Sequence, residues 1–156
     1  RLRALPAMLE EARANLEPGL PRVFVEKGID FGEALDTHDF VLANIKCPDL
    51  GGHDGNCELK IEAIEKVDRA LGHILETLDW DRTTIMITAD HCTPCSLMDH
   101  SGDSVPVAFF GYGTRPDDVE RYGERPCAKG SLGHLRGMEI MNVMLNFAGR
   151  AEKFGA

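Results

Sequence analysis

Side chains of the kinds that bind divalent metals stand in three separate segments of the chain. The first holds Asp49 and His53 in PDLGGHDG, the second holds Asp90 and His91 in ITADHCTPC, and the third holds His100 in MDHSGDSVPV. Mixed carboxylate and imidazole ligands suit Zn²⁺ or Mn²⁺. Mg²⁺ is the alternative metal, although Mg²⁺ and Ca²⁺ both prefer ligand shells made of oxygen atoms. Five ligands exceed one tetrahedral site and fall short of two complete sites. The count therefore predicts two metals about 3.5–4 Å apart that also take ligands from elsewhere.

Strands and helices must bring these segments together. Short, mostly apolar runs predict strands over residues 39–47, 82–89 and 105–111, and apolar periodicity predicts helices over residues 58–78 and 137–147. This alternation predicts an α/β layered fold, with a largely parallel sheet flanked by helices. Loops that follow neighbouring parallel strands converge at the carboxyl edge of such a sheet. We therefore expect the five candidate ligands to meet there.

The N-terminal part carries weaker patterns. Apolar residues at helical spacing predict a helix over residues 2–15, a short strand follows over residues 22–26, and residues 28–37 read as a loop or turn.

The composition of the chain indicates which kinds of binding partner it has and in which cellular compartment it is found. The 156 residues suit one domain, and a net charge of −9 argues against binding to nucleic acid phosphates. No apolar run is long enough for a membrane span. Five cysteines, an odd number, and no secretory signal predict a reduced, cytoplasmic protein. Because the chain begins with Arg1, we also expect it to be a fragment.

Four motifs, in order, resemble the archaeal-type cofactor-independent phosphoglycerate mutases of the alkaline phosphatase superfamily. They are D-x-x-G-H-D-G-N, T-A-D-H-x-T-P-C-S, H-S-x-D-x-V-P-V and C-A-K-G-S-L-G-x-x-R-G, and the likeness covers about residues 39–145. The resemblance implies that Asp49, His53 and His100 hold one metal and that Asp90 and His91 contribute to the other. It also implies interconversion of 3-phosphoglycerate and 2-phosphoglycerate, in glycolysis and gluconeogenesis, through a phosphoserine intermediate.

Three basic residues are candidates for binding the phosphate or carboxylate of phosphoglycerate. Lys46 ends the predicted strand before Asp49, and Lys129 and Arg136 stand among glycines in AKGSLGHLRG. The alternatives are a strand cap for Lys46 and a basic surface loop for the other two.

The chain departs from the resembled family at its N-terminal side. That family places a serine nucleophile and a further metal-binding aspartate there, but Thr37 is the only hydroxyl residue before Asp39. We therefore expect residues 1–38 to be a poorly matched remnant and residues 39–156 to be the C-terminal part of an incomplete metal-binding domain. Alone, this part should be inactive, and surfaces left by the missing portion should favour self-association.

Two other functions stay open from the sequence. Another phosphatase or phosphodiesterase of the same superfamily would share the metal ligands. A non-catalytic remnant that binds a metal or a partner chain would keep the ligands without the nucleophile.

Overall fold

The structure, a computed structural model, describes residues 31–151. These residues divide into two compact units, the first formed by residues 31–78 and 93–101 and the second by residues 79–92 and 102–151. The helix predicted over residues 2–15 and the strand predicted over residues 22–26 lie outside the described residues.

Three helices build the described part of the first unit: α1 (Phe31–Thr37), α2 (Cys47–His53) and α3 (Cys57–Thr77). The loop predicted up to residue 37 is therefore wrong where the chain forms α1. The strand predicted over residues 39–47 is also wrong, because these residues form no strand and the chain enters α2 at Cys47. An apolar run becomes a strand only beside a partner strand, and the proline in the first turn of α2 favours the start of a helix.

Two buried glycines let α2 pack closely against its neighbours. A Cβ atom at Gly51 would lie 2.9 Å from the backbone nitrogen of Lys60 in α3. A Cβ atom at Gly52 would lie 2.4 Å from the carbonyl oxygen of Thr93. Since real Cβ atoms do not come this close to backbone atoms, both positions require glycine for this packing. The small core of this unit, Cys47 with Ala63, forms beside this contact.

Helix α3 confirms the helix predicted over residues 58–78. The Asn56 side chain caps it by accepting a hydrogen bond from the Leu59 amide at 3.0 Å, and the helix ends at Thr77. Ala63 is the buried residue of α3, whereas Ile61 and Ile64 are more than half exposed. Part of the apolar surface of α3 therefore stays exposed.

The second unit contains two strands, β1 (Thr84–Ile87) and β2 (Ala108–Gly111), which pair from Thr84 with Gly111 to Ile87 with Ala108. The strand predicted over residues 82–89 is confirmed in its central residues, and the strand predicted over residues 105–111 is confirmed in its last four residues. Their pairing is antiparallel, so the predicted parallel direction is wrong for these two strands. A run of apolar residues predicts a strand but carries no information on the direction of its partner.

Short helices complete the second unit: α4 (Glu124–Cys127), a 3₁₀ turn (Gly137–Glu139) and α5 (Ile140–Phe147). The 3₁₀ turn and α5 together confirm the helix predicted over residues 137–147. The Phe109 and Phe147 rings pack edge to face with centroids 5.1 Å apart, which joins β2 to α5. Within the described residues, no helix has both the length and the apolar character needed to cross a membrane.

Candidate metal centre

Three of the five predicted ligands come together in the first unit. Asp49 and His53 lie one turn apart on α2, and His100 lies in the segment Thr93–Ser101. The Asp49 Oδ1 atom is 3.6 Å from His53 Nε2 and 3.7 Å from His100 Nε2. The two Nε2 atoms are 3.2 Å apart. One carboxylate oxygen and two imidazole nitrogens therefore form a small triangle.

The size of this triangle fits a divalent transition metal. Zinc lies about 2.0–2.1 Å from oxygen and nitrogen ligands, so two ligands of a tetrahedral site are about 3.3–3.5 Å apart. The three observed separations, 3.2 Å, 3.6 Å and 3.7 Å, are close to this spacing. Three protein ligands are also the number that catalytic zinc sites use, with one position left open. The donor set and its spacing therefore fit the implied metal.

Asp49 is held by two side chains that are not metal ligands. The Thr93 hydroxyl donates to Asp49 Oδ1 at 2.6 Å, and the Lys46 ammonium group forms an ion pair with Oδ2. Thr93 is itself held, because Lys60 Nζ on α3 donates to its carbonyl oxygen at 2.6 Å. The carboxylate is thus fixed in position before any ion arrives, as a preorganised ligand requires.

The same contacts keep Asp49 ionised. Burial of its carboxylate raises the pKa, but the Lys46 ammonium and the Thr93 hydroxyl outweigh that effect and lower the pKa to about 2. Its side chain is only 13% exposed, whereas that of His100 is 50% exposed. The Asp49 corner of the triangle is therefore charged and mostly buried, whereas the His100 corner is open to solvent.

His53 is oriented by a backbone group. Its Nδ1 atom lies 3.2 Å from the carbonyl oxygen of Met98. A carbonyl oxygen only accepts hydrogen bonds, so Nδ1 must carry the proton, and in the neutral ring Nε2 then carries the lone pair. This tautomer directs the free lone pair of His53 toward Asp49 and His100.

The other two predicted metal ligands, Asp90 and His91, lie in the second unit, just after β1. The His91 amide donates to Asp90 Oδ1 at 3.1 Å, and His91 Nε2 is 3.5 Å from Asp90 Oδ2. Their place after a strand agrees with the predicted order. Their part in a second metal site stays a prediction.

The three predicted substrate-binding residues have different surroundings. Lys46 pairs with Asp49 at the edge of the triangle, and the strand that it would cap in the alternative interpretation does not form. Lys129 follows α4, where its amide donates to the Pro126 carbonyl at 3.0 Å. Arg136 precedes the 3₁₀ turn, where its amide donates to Glu139 Oε2 at 2.8 Å. Substrate contact by any of the three stays a prediction.

Sequence reasoning missed three residues that support the triangle. Thr93 stands within the T-A-D-H-x-T-P-C-S motif, two residues after the candidate ligand His91, and this position could have indicated a role at the metal centre. Lys60 lies on the long helix among other charged residues and carried no such signal. Met98 acts through its backbone carbonyl, which no residue type reveals.

Comparisons with known proteins place most of this chain in a family of metalloenzymes. The Metalloenzyme superfamily matches residues 25–147. The chain is 49% identical over 124 residues to a 2,3-bisphosphoglycerate-independent phosphoglycerate mutase of Thermococcus gammatolerans, which covers 80% of this chain and 30% of that relative. It is 42% identical over 139 residues to 2,3-bisphosphoglycerate-independent phosphoglycerate mutase 1 of Methanocaldococcus jannaschii, which covers 88% of this chain and 34% of that relative.

A solved structure from Pyrococcus horikoshii has the same fold, with a TM-score of 0.79 and 44% identity over 87% of this chain and 40% of that one. The resemblance to archaeal phosphoglycerate mutases is thus confirmed, and the chain spans about a third of the length of these relatives. The family match covers both units and includes all five candidate metal ligands. The chain belongs to the Metalloenzyme superfamily.

Proposed function

We propose that this chain is the C-terminal metal-binding portion of a cytoplasmic phosphoglycerate mutase that interconverts 3-phosphoglycerate and 2-phosphoglycerate through a phosphoserine. The triangle of Asp49, His53 and His100 is the observation that carries this proposal. Its support is the high identity to relatives named as phosphoglycerate mutases. In the complete enzyme, further strands would extend β1 and β2 into a layered, largely parallel sheet.

The residues of this chain supply ligands and charge. Asp49 stays a carboxylate and the two imidazoles present nitrogen lone pairs, so together they would hold one Zn²⁺ or Mn²⁺ ion. Asp90 and His91 would give two ligands to a second ion. Bound metal in such sites offsets the negative charge of a transferring phosphoryl group. Lys129 and Arg136 would bind phosphate or carboxylate groups of the substrate, and the serine nucleophile would come from outside these 156 residues.

Zinc titration by calorimetry tests the metal assignment. We expect about one tight equivalent, because the triangle has three ligands and the Asp90 pair has two. His53→Ala or His100→Ala should abolish tight binding, whereas Asp90→Ala should largely keep it. His73→Ala, an exposed histidine on α3, is the matched control and should bind like the parent chain. Two equally tight equivalents, or binding that is indifferent to His53, would contradict the assignment.

An activity assay tests where the nucleophile lies. The purified chain, supplied with Mn²⁺ or Zn²⁺, should not convert 3-phosphoglycerate, because the proposed serine is absent. Addition of a separately produced N-terminal portion of a relative, which would carry the serine, should restore conversion in proportion to the complex formed. Robust conversion by the chain alone would refute the proposal that the nucleophile lies elsewhere.

A further inference from the structure

Met98 has a backbone conformation that its side chain does not favour. Its φ angle is 54°, and it is the one non-glycine residue with a positive φ among residues 31–151. The left-handed region is unfavourable for a residue with a Cβ atom, and such strain is concentrated at functional sites. Some feature of the surrounding structure must therefore hold Met98 in place.

The segment before Met98 explains how it is held. The amides of Leu97 and Met98 both donate to the carbonyl oxygen of Pro94, at 3.0 Å and 2.9 Å, which closes a tight helical turn. A left-handed residue at the end of such a turn reverses the direction of the chain. The Met98 side chain also lies over Gly55, where an added Cβ atom would be 3.1 Å from the Met98 sulfur.

This conformation has two consequences for the triangle. It points the Met98 carbonyl at His53 Nδ1, which is 3.2 Å away. It also turns the chain so that His100, two residues later, comes to lie with its Nε2 atom 3.2 Å from that of His53. One backbone conformation therefore sets both the tautomer of the first imidazole and the position of the second.

We propose that Met98 is a positioning residue of the metal centre, whose left-handed backbone fixes His53 as the Nδ1-protonated tautomer and places His100 beside it. The positioning role of Met98 rests on the proposed metal-binding function, but the tautomer of His53 is a property of the metal-free chain and can be measured without a metal. Backbone or carboxylate partners of this kind typically change metal affinity 10-fold to 100-fold when they are lost.

Three substitutions separate the backbone from the side chain. Met98→Gly removes the side chain but adopts the left-handed conformation without cost, Met98→Ala carries a moderate cost, and Met98→Val carries a larger one because its side chain is β-branched. If the backbone conformation of Met98 positions the two imidazoles, the fraction of Nδ1-protonated His53 and the zinc affinity should both decrease in the order Met98→Gly, Met98→Ala, Met98→Val. If packing of the side chain on Gly55 matters, the order should be reversed, because the largest apolar side chain would retain most contact.

The first measurement is nuclear magnetic resonance of the imidazole nitrogens in the metal-free chain, with the His53 signals assigned by their loss in His53→Gln. We expect His53 to carry its proton on Nδ1 in the parent chain and in Met98→Gly. Met98→Val should show a mixture with the Nε2-protonated form. Circular dichroism shows whether each variant is folded, and Met98→Ala serves if Met98→Val is not.

The second measurement is zinc affinity by calorimetry. Met98→Gly should bind within about threefold of the parent chain, and Met98→Val should bind about 10-fold more weakly. A parent chain that binds no zinc but keeps the tautomer order would defeat the proposed function and leave the positioning role intact. The inference is overturned if Met98→Gly loses the Nδ1 tautomer, or if folded Met98→Ala and Met98→Val keep the tautomer and the zinc affinity of the parent chain.

Discussion

Thr93 shows how a single hydroxyl tunes this site. It is 4% exposed and donates to Asp49 Oδ1 at 2.6 Å, and this hydrogen bond is one reason that the pKa of Asp49 is lowered to about 2. Because the pKa of Asp49 is lower in the folded state than in the unfolded state, its ionisation stabilises the folded state at any pH above the ordinary carboxyl pKa of about 4. That stability is lost as the pH falls through about 2.

Thr93→Val should therefore change both acid stability and metal binding. Valine keeps the shape but removes the donor, so the pKa of Asp49 should rise and acid unfolding should begin at a higher pH. Zinc affinity should fall about 10-fold, because the carboxylate is less well held. Acid titration by circular dichroism and zinc calorimetry measure the two effects. Thr93→Ser, which keeps the hydroxyl, is the matched control, and equal behaviour of both variants would contradict the prediction.

Tyr122 offers a second prediction at the scale of one residue. Partial burial raises the pKa of its half-exposed phenol, nearby Cys127 and Glu124 add negative charge, and the pKa reaches about 12. Its hydroxyl donates to the Pro106 carbonyl at 3.1 Å. Because the folded pKa is raised, the stability from this group is complete below the ordinary value of about 10 and is lost as the pH rises through about 12.

Ultraviolet titration can isolate this phenol, since the chain has two tyrosines. In Tyr112→Phe, the remaining phenolate signal should appear with a midpoint near pH 12, as the raised pKa requires. Circular dichroism recorded in parallel shows whether the chain is still folded at that pH. A midpoint near 10 in a folded chain would mean that the surroundings of Tyr122 do not raise its pKa.

At the scale of elements, the glycines of α2 decide how the metal centre is assembled. Asp49 and His53 lie on a seven-residue helix that contains Gly51 and Gly52, which are poor helix formers. Packing therefore stabilises this helix, with Lys60 of α3 against Gly51 and Thr93 against Gly52. The contact at Gly52 also brings the Thr93 hydroxyl to Asp49.

Two alanine substitutions test this view. Gly52→Ala should lower the free energy of unfolding by about 1–3 kcal/mol, because its Cβ atom would displace the Thr93 segment. Gly72→Ala on α3 is the matched control, since no atom lies within 4 Å of its added Cβ atom. It should raise the free energy of unfolding by about 0.5–1 kcal/mol. Urea unfolding measures both, and effects of the same sign would show that packing does not set the requirement at Gly52.

At the scale of the whole molecule, exposed apolar surface is the main feature. Helix α3 exposes Ile61, Ile64 and Leu75 by 57%, 52% and 42%, at a spacing that places them on one face. The buried apolar residues of the described part, Ala34, Cys47 and Ala63, are all small. Exposed apolar side chains on one face of a helix favour association between copies.

We therefore expect the purified chain to self-associate as its concentration rises. Sedimentation velocity should show a shift to larger species, and the double variant Ile61→Lys with Ile64→Lys should reduce it. Thr77→Lys adds positive charge at an exposed position at the end of the same helix and should leave association unchanged. A parent chain that stays monomeric over a wide range of concentration would contradict this expectation.

The residue types, their order and their local spacing were enough to predict much of this protein. They identified Asp49, His53, Asp90, His91 and His100 as candidate metal ligands, and the family resemblance assigned Asp49, His53 and His100 to one metal. The structure brings these three side chains together. They also predicted α3, β1, β2 and α5, because apolar periodicity is a local property of the chain.

Tertiary structure alone decided the rest. Residues 39–47 look like a buried strand, but a strand needs a partner, and residues 39–46 form neither strand nor helix. Helix α2 begins at Cys47 and packs where its glycines meet Lys60 and Thr93. The antiparallel direction of β1 and β2 depends on which strands are neighbours, which local patterns do not encode. The hydrogen bond from His53 to the Met98 carbonyl joins residues 45 positions apart through a backbone atom that every residue has. Such contacts are invisible in the sequence because they depend on where the chain returns in space and not on residue type.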